Sequence, residues 1–304
     1  MGPQRTRPDL GGVPETALWT LYTRALEARR PDRLIVDPEA IKLVDALDYP
    51  FRERFGPDKW DMADGEAIRT RVFDDELRRF LQNHPEGTVV TLAEGLETQF
   101  WRADNGLARW LGVDLPEIVK LRRCLLPESP RQRLIACSAL DDHWMNEVDP
   151  TRGVLITAKG LFQYFQPAEV RRLIAACAER FPGAVMVFEA PSRWLSTRMR
   201  QGRLRTPAGT PIPPTYWGMD PKEARRISTA HPNIAELTDL PLPAGRGKVY
   251  GRLLPWIART PVVRNWKPVW ITRLQFGDAS GAPPCGDGPE RTRHESRERP
   301  ASRY

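Results

Sequence analysis

The chain has 304 residues, of which 40% are hydrophobic, so it is long and apolar enough for one large α/β domain or two small ones and is not a disordered chain. Its net charge of +7 raises the question of nucleic acid, but the arginines alternate with acids and form no basic stripe with interleaved aromatic residues, so we predict no nucleic-acid partner. No apolar run approaches the roughly 18 residues of a membrane span, and the polar start MGPQRTRPDLGG lacks the apolar segment of a secretory signal, which predicts a cytoplasmic protein.

The first 87 residues predict a flexible arm followed by a helical cap. Residues 1–13 are the predicted arm, and residues 14–30 follow with the apolar spacing of a helix that carries Arg24 near its apolar face. A second helix is predicted from Asp37-Pro38, because proline is favoured in the first turn. A third is predicted over residues 67–83, with Arg69 and Arg71 near its start.

Residues 88–114 have the layout of a nucleotide-binding unit. A short β-branched run predicts a buried parallel strand, the turn Ala93-Glu94-Gly95 follows it, and a second strand-like run ends at Asp114. The turn brings backbone close to a ligand, and a carboxylate at the tip of the second strand can accept hydrogen bonds from both ribose hydroxyls.

The charges of this turn favour S-adenosylmethionine (SAM) over NAD. A dinucleotide would place its pyrophosphate beside Glu94 and Glu97, and like charges at a partly buried site repel by about several kcal/mol. SAM carries adenosine without phosphate, together with a positively charged sulfonium and ammonium. We therefore predict SAM as the cofactor.

The remaining segments extend the sheet. Strands are predicted over residues 133–139, 153–157 and 184–189, and the loops at their carboxyl ends, Leu140-Asp141 and Ala158-Lys159-Gly160 among them, should border the ligand crevice. Residues 88–190 thus form the predicted cofactor-binding core. Residues 191–233 are a predicted substrate lid, residues 234–276 hold the last two strands, and residues 277–304 are a predicted disordered tail.

The motifs LAEGLETQFWR, VDLPEIVKLRRCLLP, SALDDHW and TAKGLFQYFQPAEVRRLI together resemble the leucine carboxyl methyltransferase superfamily, in its bacterial polyketide O-methyltransferase branch. The resemblance spans roughly residues 14–277. It implies a Rossmann-like class I methyltransferase fold, α/β and doubly wound, with a mostly parallel seven-stranded sheet, N-terminal helices and a lid insertion. Many relatives read G-x-G-L-D-T-R where this chain has Ala93, Glu97 and Gln99, and many carry Glu at the position of Lys159.

The resemblance also implies roles for individual residues. An amino-terminal basic residue and the R-T-R arginine hold the SAM carboxylate in the family, which assigns Arg24 and Arg69, with Arg71 as the fallback. Asp141 would meet the adenine amine beside Leu140, and Gly160 would face the sulfonium. The alternatives are a surface arginine for Arg24, a helix-surface ion pair of Arg69 or Arg71 with Asp74 or Asp75, and a helix cap for Asp141.

The catalytic residues stay open. Tyr164 and His143 are weak candidates for contact with the acceptor and for a general base, while a loop histidine held by hydrogen bonds is the alternative for His143. The histidines and cysteines lack metal-ligand spacing, so no metal is predicted. Since no base stands out, a carboxylate acceptor is favoured over a phenol.

The predicted function is SAM-dependent O-methyl transfer to a small molecule, in polyketide or other secondary metabolism. The alternatives are a non-catalytic SAM-binding protein, motivated by Ala93, Gln99 and Lys159, and an NAD-dependent reductase. The sequence predicts no oligomeric state.

Overall fold

A computed structural model describes residues 5–57, 60–253, 256 and 267–278. The strands are β1 (Thr88–Leu92), β2 (Arg109–Asp114), β3 (Gln132–Ala136), β4 (Val154–Ala158), β5 (Val185–Pro191), β6 (Ile234–Leu240) and β7 (Val269–Phe276). The helices are α1 (Thr16–Ala28), α2 (Pro38–Ala46), α3 (Phe51–Phe55), α4 (Trp60–Asn83), α5 (Gln99–Ala103), α6 (Pro116–Leu125), α7 (Pro167–Arg180), α8 (Arg193–Arg200) and α9 (Pro221–Ser228).

The strands form one seven-stranded sheet in the order β3-β2-β1-β4-β5-β7-β6. Strands β1 to β5 are parallel, and β7 is antiparallel to both β5 and β6. Every residue of β1 and β4 is buried, as expected for central strands covered on both faces. The predicted fold class, doubly wound and mostly parallel with seven strands, is confirmed.

The strand order places the ligand crevice. β1 lies between β2 and β4, and the chain crosses from β3 on one side of the sheet to β4 on the other. The carboxyl ends of β1, β2 and β4 therefore meet where the strand order reverses, which is the usual ligand position in open α/β sheets.

The N-terminal helices differ from the prediction in one respect. α4 begins at Trp60 rather than at Ala67, because Ala63 is fully buried and extends the apolar face of the helix through a polar stretch. Within the predicted flexible arm, Thr6 accepts a backbone hydrogen bond from Asp48 and donates one to Ala46.

The predicted lid, residues 191–233, contains α8 and α9 joined by an irregular segment. Residues 1–4 of the predicted arm and residues 279–304 of the predicted tail lie outside the described residues. None of the described helices has the length and apolar character needed to cross a membrane.

Candidate active site

The turn after β1 is tied directly to the tip of β2. Gly95 N–H donates to Asp114 Oδ2 at 2.6 Å, and Leu115 N–H donates to Asp114 Oδ1 at 2.7 Å. Ala93 and Gly95 both have positive φ, 51° and 56°, which makes the turn tight. Burial raises the pKa of Asp114. Each carboxylate oxygen has further lone pairs, so Asp114 can fix the turn and still accept hydrogen bonds from a ligand.

Arg122 on α6 holds the other side of this turn and was not predicted. Its side chain is 1% exposed, and Nη1 donates to the carbonyls of Gly95 at 2.8 Å and Glu97 at 2.9 Å. Its Nη2 lies 2.8 Å from Glu94 Oε1. From the sequence alone, Arg122 looks like any other arginine of an amphipathic helix, because its partners are distant in the chain.

The carboxylate of Glu94 lies over Gly112 of β2. A Cβ at Gly112 would overlap with Glu94 Oε2, so a side chain there would displace this carboxylate from its present position. Burial raises the pKa of Glu94 to about 7, and Asp114 and Glu97 add to the shift while Arg122 opposes it. Glu94 is therefore engaged with Arg122 and not with the loop of Lys159.

A buried ion network fills the space between the helical cap and the ends of β1, β4 and β5. It joins five carboxylates and four cations among the described residues: Asp37, Glu66, Asp74, Glu97, Glu189, Arg24, Arg69, Arg102 and Lys159. Fully ionised, these nine groups leave an excess of one negative charge.

This network neutralises much of the negative charge of the turn after β1. Arg24, Arg102 and Lys159 neutralise Glu97 and hold its pKa well below the usual range, although burial alone would raise it. Glu94 is paired with Arg122. The turn itself is therefore less repulsive to phosphate than its sequence predicts, and the excess negative charge belongs to the wider network.

Arg24 lies inside this network. Its side chain is 1% exposed, and Nη2 donates to the carbonyl of Leu96 at 2.7 Å. Its Nε lies 3.5 Å from Asp37 Oδ2, and its Nη1 lies 3.5 Å from Glu97 Oε2. The alternative of a surface arginine is wrong, because α1 packs this face against α4 and the turn after β1.

Arg69 also points into the network. Its Nε lies 2.7 Å from Glu189 Oε2, and its Nη1 lies 3.3 Å from Glu66 Oε2. The alternative pairing of Arg69 with Asp74 or Asp75 is wrong, because these acids pair with Arg102 and Arg78.

Lys159 turns towards acids rather than away from the site. Its Nζ donates to Thr70 Oγ1 and Glu97 Oε2, both at 2.9 Å, and lies 3.0 Å from Glu66 Oε1. Next to it, Gly160 has φ +69°, and a Cβ there would stand 3.6 Å from Glu189 Oε1.

Glu189 is a site residue that sequence reasoning missed. It lies near the carboxyl end of β5, is 6% exposed, and burial raises its pKa. The sequence does indicate this residue, because the predicted fifth strand ends at Glu189 just as the predicted second strand ends at Asp114.

Leu140 and Asp141 follow β3, and the Asp141 carboxylate is half-exposed. It accepts a hydrogen bond from His143 N–H at 3.3 Å and lies 2.8 Å from His143 Nδ1. Asp141 therefore caps the short 3-10 helix Asp142–Glu147, as the helix-cap alternative predicted. His143 is exposed and is held by its contacts with Asp141. Trp144 is fully buried below this loop.

Tyr164 lies in a short 3-10 turn (Phe162–Tyr164) after β4 and is partly buried. Burial raises its pKa, although hydrogen bonds with Thr16 and Gln163 oppose the shift. The phenol therefore stays protonated at neutral pH.

These residues fit SAM in three respects. The tip of β2 offers a carboxylate at the position expected for a ribose, and Gly95 and Gly160 keep the turns after β1 and β4 free of side chains. The network behind them carries excess negative charge, which suits the positive sulfonium and ammonium. The departure is at Lys159, where a cation stands in place of an acid.

Comparison with known proteins agrees with this geometry. Residues 17–178 match the leucine carboxyl methyltransferase family. The tetracenomycin polyketide synthesis O-methyltransferase TcmP of Streptomyces glaucescens is 33% identical over 186 residues, which is 61% of this chain and 68% of the relative. The SAM-dependent methyltransferase dpfgK of Gibberella zeae is 30% identical over 57% of this chain, and the match spans 62% of its length, less than two thirds.

Among solved structures, an O-methyltransferase family protein from Burkholderia thailandensis is 15% identical, covering 88% of this chain and 71% of its own, with a TM-score of 0.43. The matched residues 17–178 include the turn after β1, Asp114 and Lys159. The chain belongs to the leucine carboxyl methyltransferase family and is a SAM-dependent methyltransferase.

Proposed function

We propose that this methyltransferase transfers the methyl group of SAM to an oxygen atom of a small molecule. The observation that carries the proposal is the coupling of Asp114 to the turn after β1, through Gly95 N–H at 2.6 Å. This contact places a buried carboxylate at the edge of the crevice where a ribose would lie.

In this proposal the remaining contacts surround the cofactor. Arg24 and Arg69 hold its carboxylate, since a guanidinium fork matches a carboxylate through paired hydrogen bonds. The turn Ala93-Glu94-Gly95 and Gly160 border the ribose and sulfonium, and Leu140-Asp141 borders the adenine.

The ammonium of SAM needs a hydrogen-bond acceptor, and Lys159 cannot be that acceptor because it is itself a cation. We assign this role to Glu189, because its carboxylate lies against Gly160 and is already paired with Arg69. Cofactor binding would then let the SAM carboxylate share Arg69 with Glu189, so that opposite charges stay paired.

SAM supplies a methyl group on a sulfonium, whose departure as a neutral thioether needs no protein acid. The protein aligns the acceptor oxygen and excludes water, and such positioning contributes up to about 7–11 kcal/mol in ideal cases. Tyr164 stays protonated, and His143 lies on an exposed loop outside the buried ion network, so we assign the role of base to neither. A carboxylate acceptor, ionised at neutral pH, needs no base and is the acceptor that we favour.

The name of the Streptomyces relative supports a natural-product acceptor. We therefore propose a polyketide-like compound of secondary metabolism as the acceptor class. The test is incubation of the protein with extracts and SAM that carries an isotopically labelled methyl group, followed by mass spectrometry. Labelled methyl esters or ethers are expected; calorimetric SAM binding without transfer to any acceptor would instead favour a non-catalytic SAM-binding protein.

A further inference from the structure

An arginine on the segment after β6 bridges the two cap helices that carry Arg24 and Arg69. The Nη2 of Arg246 donates to Glu27 Oε1 at 2.7 Å, and its Nη1 donates to Glu27 Oε2 at 3.1 Å. The same Nη1 donates to Asp64 Oδ1 at 2.5 Å. Glu27 lies on α1 and Asp64 lies on α4, so one guanidinium group joins both helices.

The two acids that Arg246 bridges are buried and depend on it for neutralisation. Glu27 is fully buried, and Asp64 is 4% exposed. Among the described residues, Asp64 pairs with no other cation, and the only second cation near Glu27 is Arg30, at 3.9 Å. A buried carboxylate that loses its cation is costly, because neither water nor another charge replaces the lost partner.

Close packing brings the segment of Arg246 onto α4. A Cβ at Gly245 would overlap with the side chain of Ile68 on this helix. On the helix itself, a Cβ at Gly65 would stand 2.6 Å from the hydroxyl of Tyr250. Gly245 N–H also donates to the carbonyl of Tyr250 at 3.0 Å, which closes a turn over the helix. The position of Arg246 is therefore fixed by packing as well as by charge.

The bridged acids are neighbours of the arginines that the proposed function assigns to the SAM carboxylate. Glu27 lies three positions after Arg24 on α1, which places the two side chains on one face of the helix. Asp64 lies five positions before Arg69 on α4. Arg246 therefore neutralises an acid that would otherwise compete with the SAM carboxylate for Arg24.

We infer that Arg246 is a positioning residue for the cofactor and fixes where Arg24 and Arg69 present their guanidinium groups to the SAM carboxylate. Without Arg246, Glu27 and Asp64 would repel each other across the contact of α1 with α4, because both reach the same Nη1. The helices would then separate, or Arg24 would turn to Glu27, and either change weakens the hold on the methionine end of SAM. This inference rests on the proposed function for the roles of Arg24 and Arg69.

The adenosine end of the cofactor should be spared. The turn after β1 is held by Asp114 and by Arg122, and Arg246 takes part in none of these contacts. A general loss of structure would weaken binding of both ends in proportion. The difference between the two ends therefore distinguishes a positioning role from a purely structural one.

The experiment compares the binding of S-adenosylhomocysteine and of 5′-methylthioadenosine by calorimetry. Both are thioethers of adenosine without net charge, and only the first carries the amino acid end. R246M is expected to reduce the preference for S-adenosylhomocysteine at least about tenfold, the factor for one lost charged hydrogen bond, with little change for methylthioadenosine. R246K keeps the charge but not the fork that grips Glu27, so its preference should be intermediate. R29A is the matched control, because Arg29 follows α1 and forms an exposed ion pair with Asp45.

A proportional loss of both ligands in R246M, a loss of neither, or an equal change of preference in R29A would overturn the inference. If R246M does not fold, R246K decides on the same criterion. R69A, measured alongside, separates the inference from the proposed function. A reduced preference in R69A with an unchanged one in R246M removes the role of Arg246 alone. An unchanged preference in R69A, or no preference in the unmodified protein, contradicts the proposed cofactor contacts and this inference with them.

Discussion

Lys159 Nζ lies 2.9 Å from Glu97 Oε2, and both residues depart from the pattern of many family members. Many relatives carry Glu at the first position and Asp at the second. Only the change at position 159 alters the charge, from an acid to a cation, and the acid that is kept at position 97 pairs with this cation. The departures are thus a matched pair inside the ion network.

The first prediction concerns this pair. K159M should destabilise the protein by about 3–5 kcal/mol, because Glu66 and Glu97 lose their shared buried cation. Adding E97Q should recover part of the loss, giving a coupling energy of about 1–3 kcal/mol in a double-mutant cycle measured by urea unfolding. The exposed Lys120 provides the control, K120M, for which no change is expected. Strictly additive effects would show that the pair is not coupled.

The second prediction concerns Asp114. D114A should weaken SAM binding by about 1.5–3 kcal/mol, or roughly 10–150-fold in Kd, because hydrogen bonds to a charged acceptor are lost. Calorimetric titration of SAM measures this loss, and thermal unfolding reports separately on the freed N–H groups of Gly95 and Leu115. E128A, at an exposed acid, should bind SAM as the unmodified protein does. If D114A also bound SAM normally, Asp114 would not hold the ribose.

The third prediction is a pH dependence of stability that arises from Glu94. Its folded-state pKa of about 7 lies above the ordinary value of 4.5, so the folded protein binds a proton that the unfolded chain releases. The free energy of unfolding should therefore fall as the pH rises from about 4.5 to about 7, by up to about 3 kcal/mol, and level off above pH 7.

E94Q removes this titration. Urea unfolding of both proteins at pH 5, 6, 7 and 8 should show the stability of the unmodified protein falling relative to that of E94Q. E117Q, at an exposed acid of α6, should follow the unmodified protein. A difference between E94Q and the unmodified protein that stays constant with pH would contradict the assignment.

The fourth prediction concerns the turn after β1. Ala93 has φ +51°, and this left-handed conformation costs a non-glycine residue about 1–2 kcal/mol. A93G should therefore stabilise the protein by about 0.5–1 kcal/mol, after the entropy that glycine adds to the unfolded chain. Thermal or urea unfolding measures the change. A176G, in the helical conformation of α7, should shift stability in the opposite direction; a loss in A93G as large as in A176G would contradict the strain.

The sheet and its ligand edge were predictable because local pattern determines them. The apolar run of β1, the turn after it and Asp114 at the tip of β2 are continuous in sequence, and strand order follows from the family.

The ion network was not predictable to the same extent. Arg24 and Arg122 are charged residues whose burial depends on partners far away in the sequence, and a charged residue on an amphipathic helix predicts exposure by default. The repulsion argument for SAM assumed two isolated carboxylates in the turn. The structure pairs both with arginines, so the family match carries that conclusion.

Gly112 limits the substitutions that positions 94 and 112 can accept. Because the carboxylate of Glu94 occupies the volume of a side chain at position 112, the two sites share one space and cannot both enlarge. A methyl group on β2 at this position would redirect the carboxylate of residue 94, which weakens its pairing with Arg122 and loosens the turn. Substitutions at the two positions should therefore be coupled.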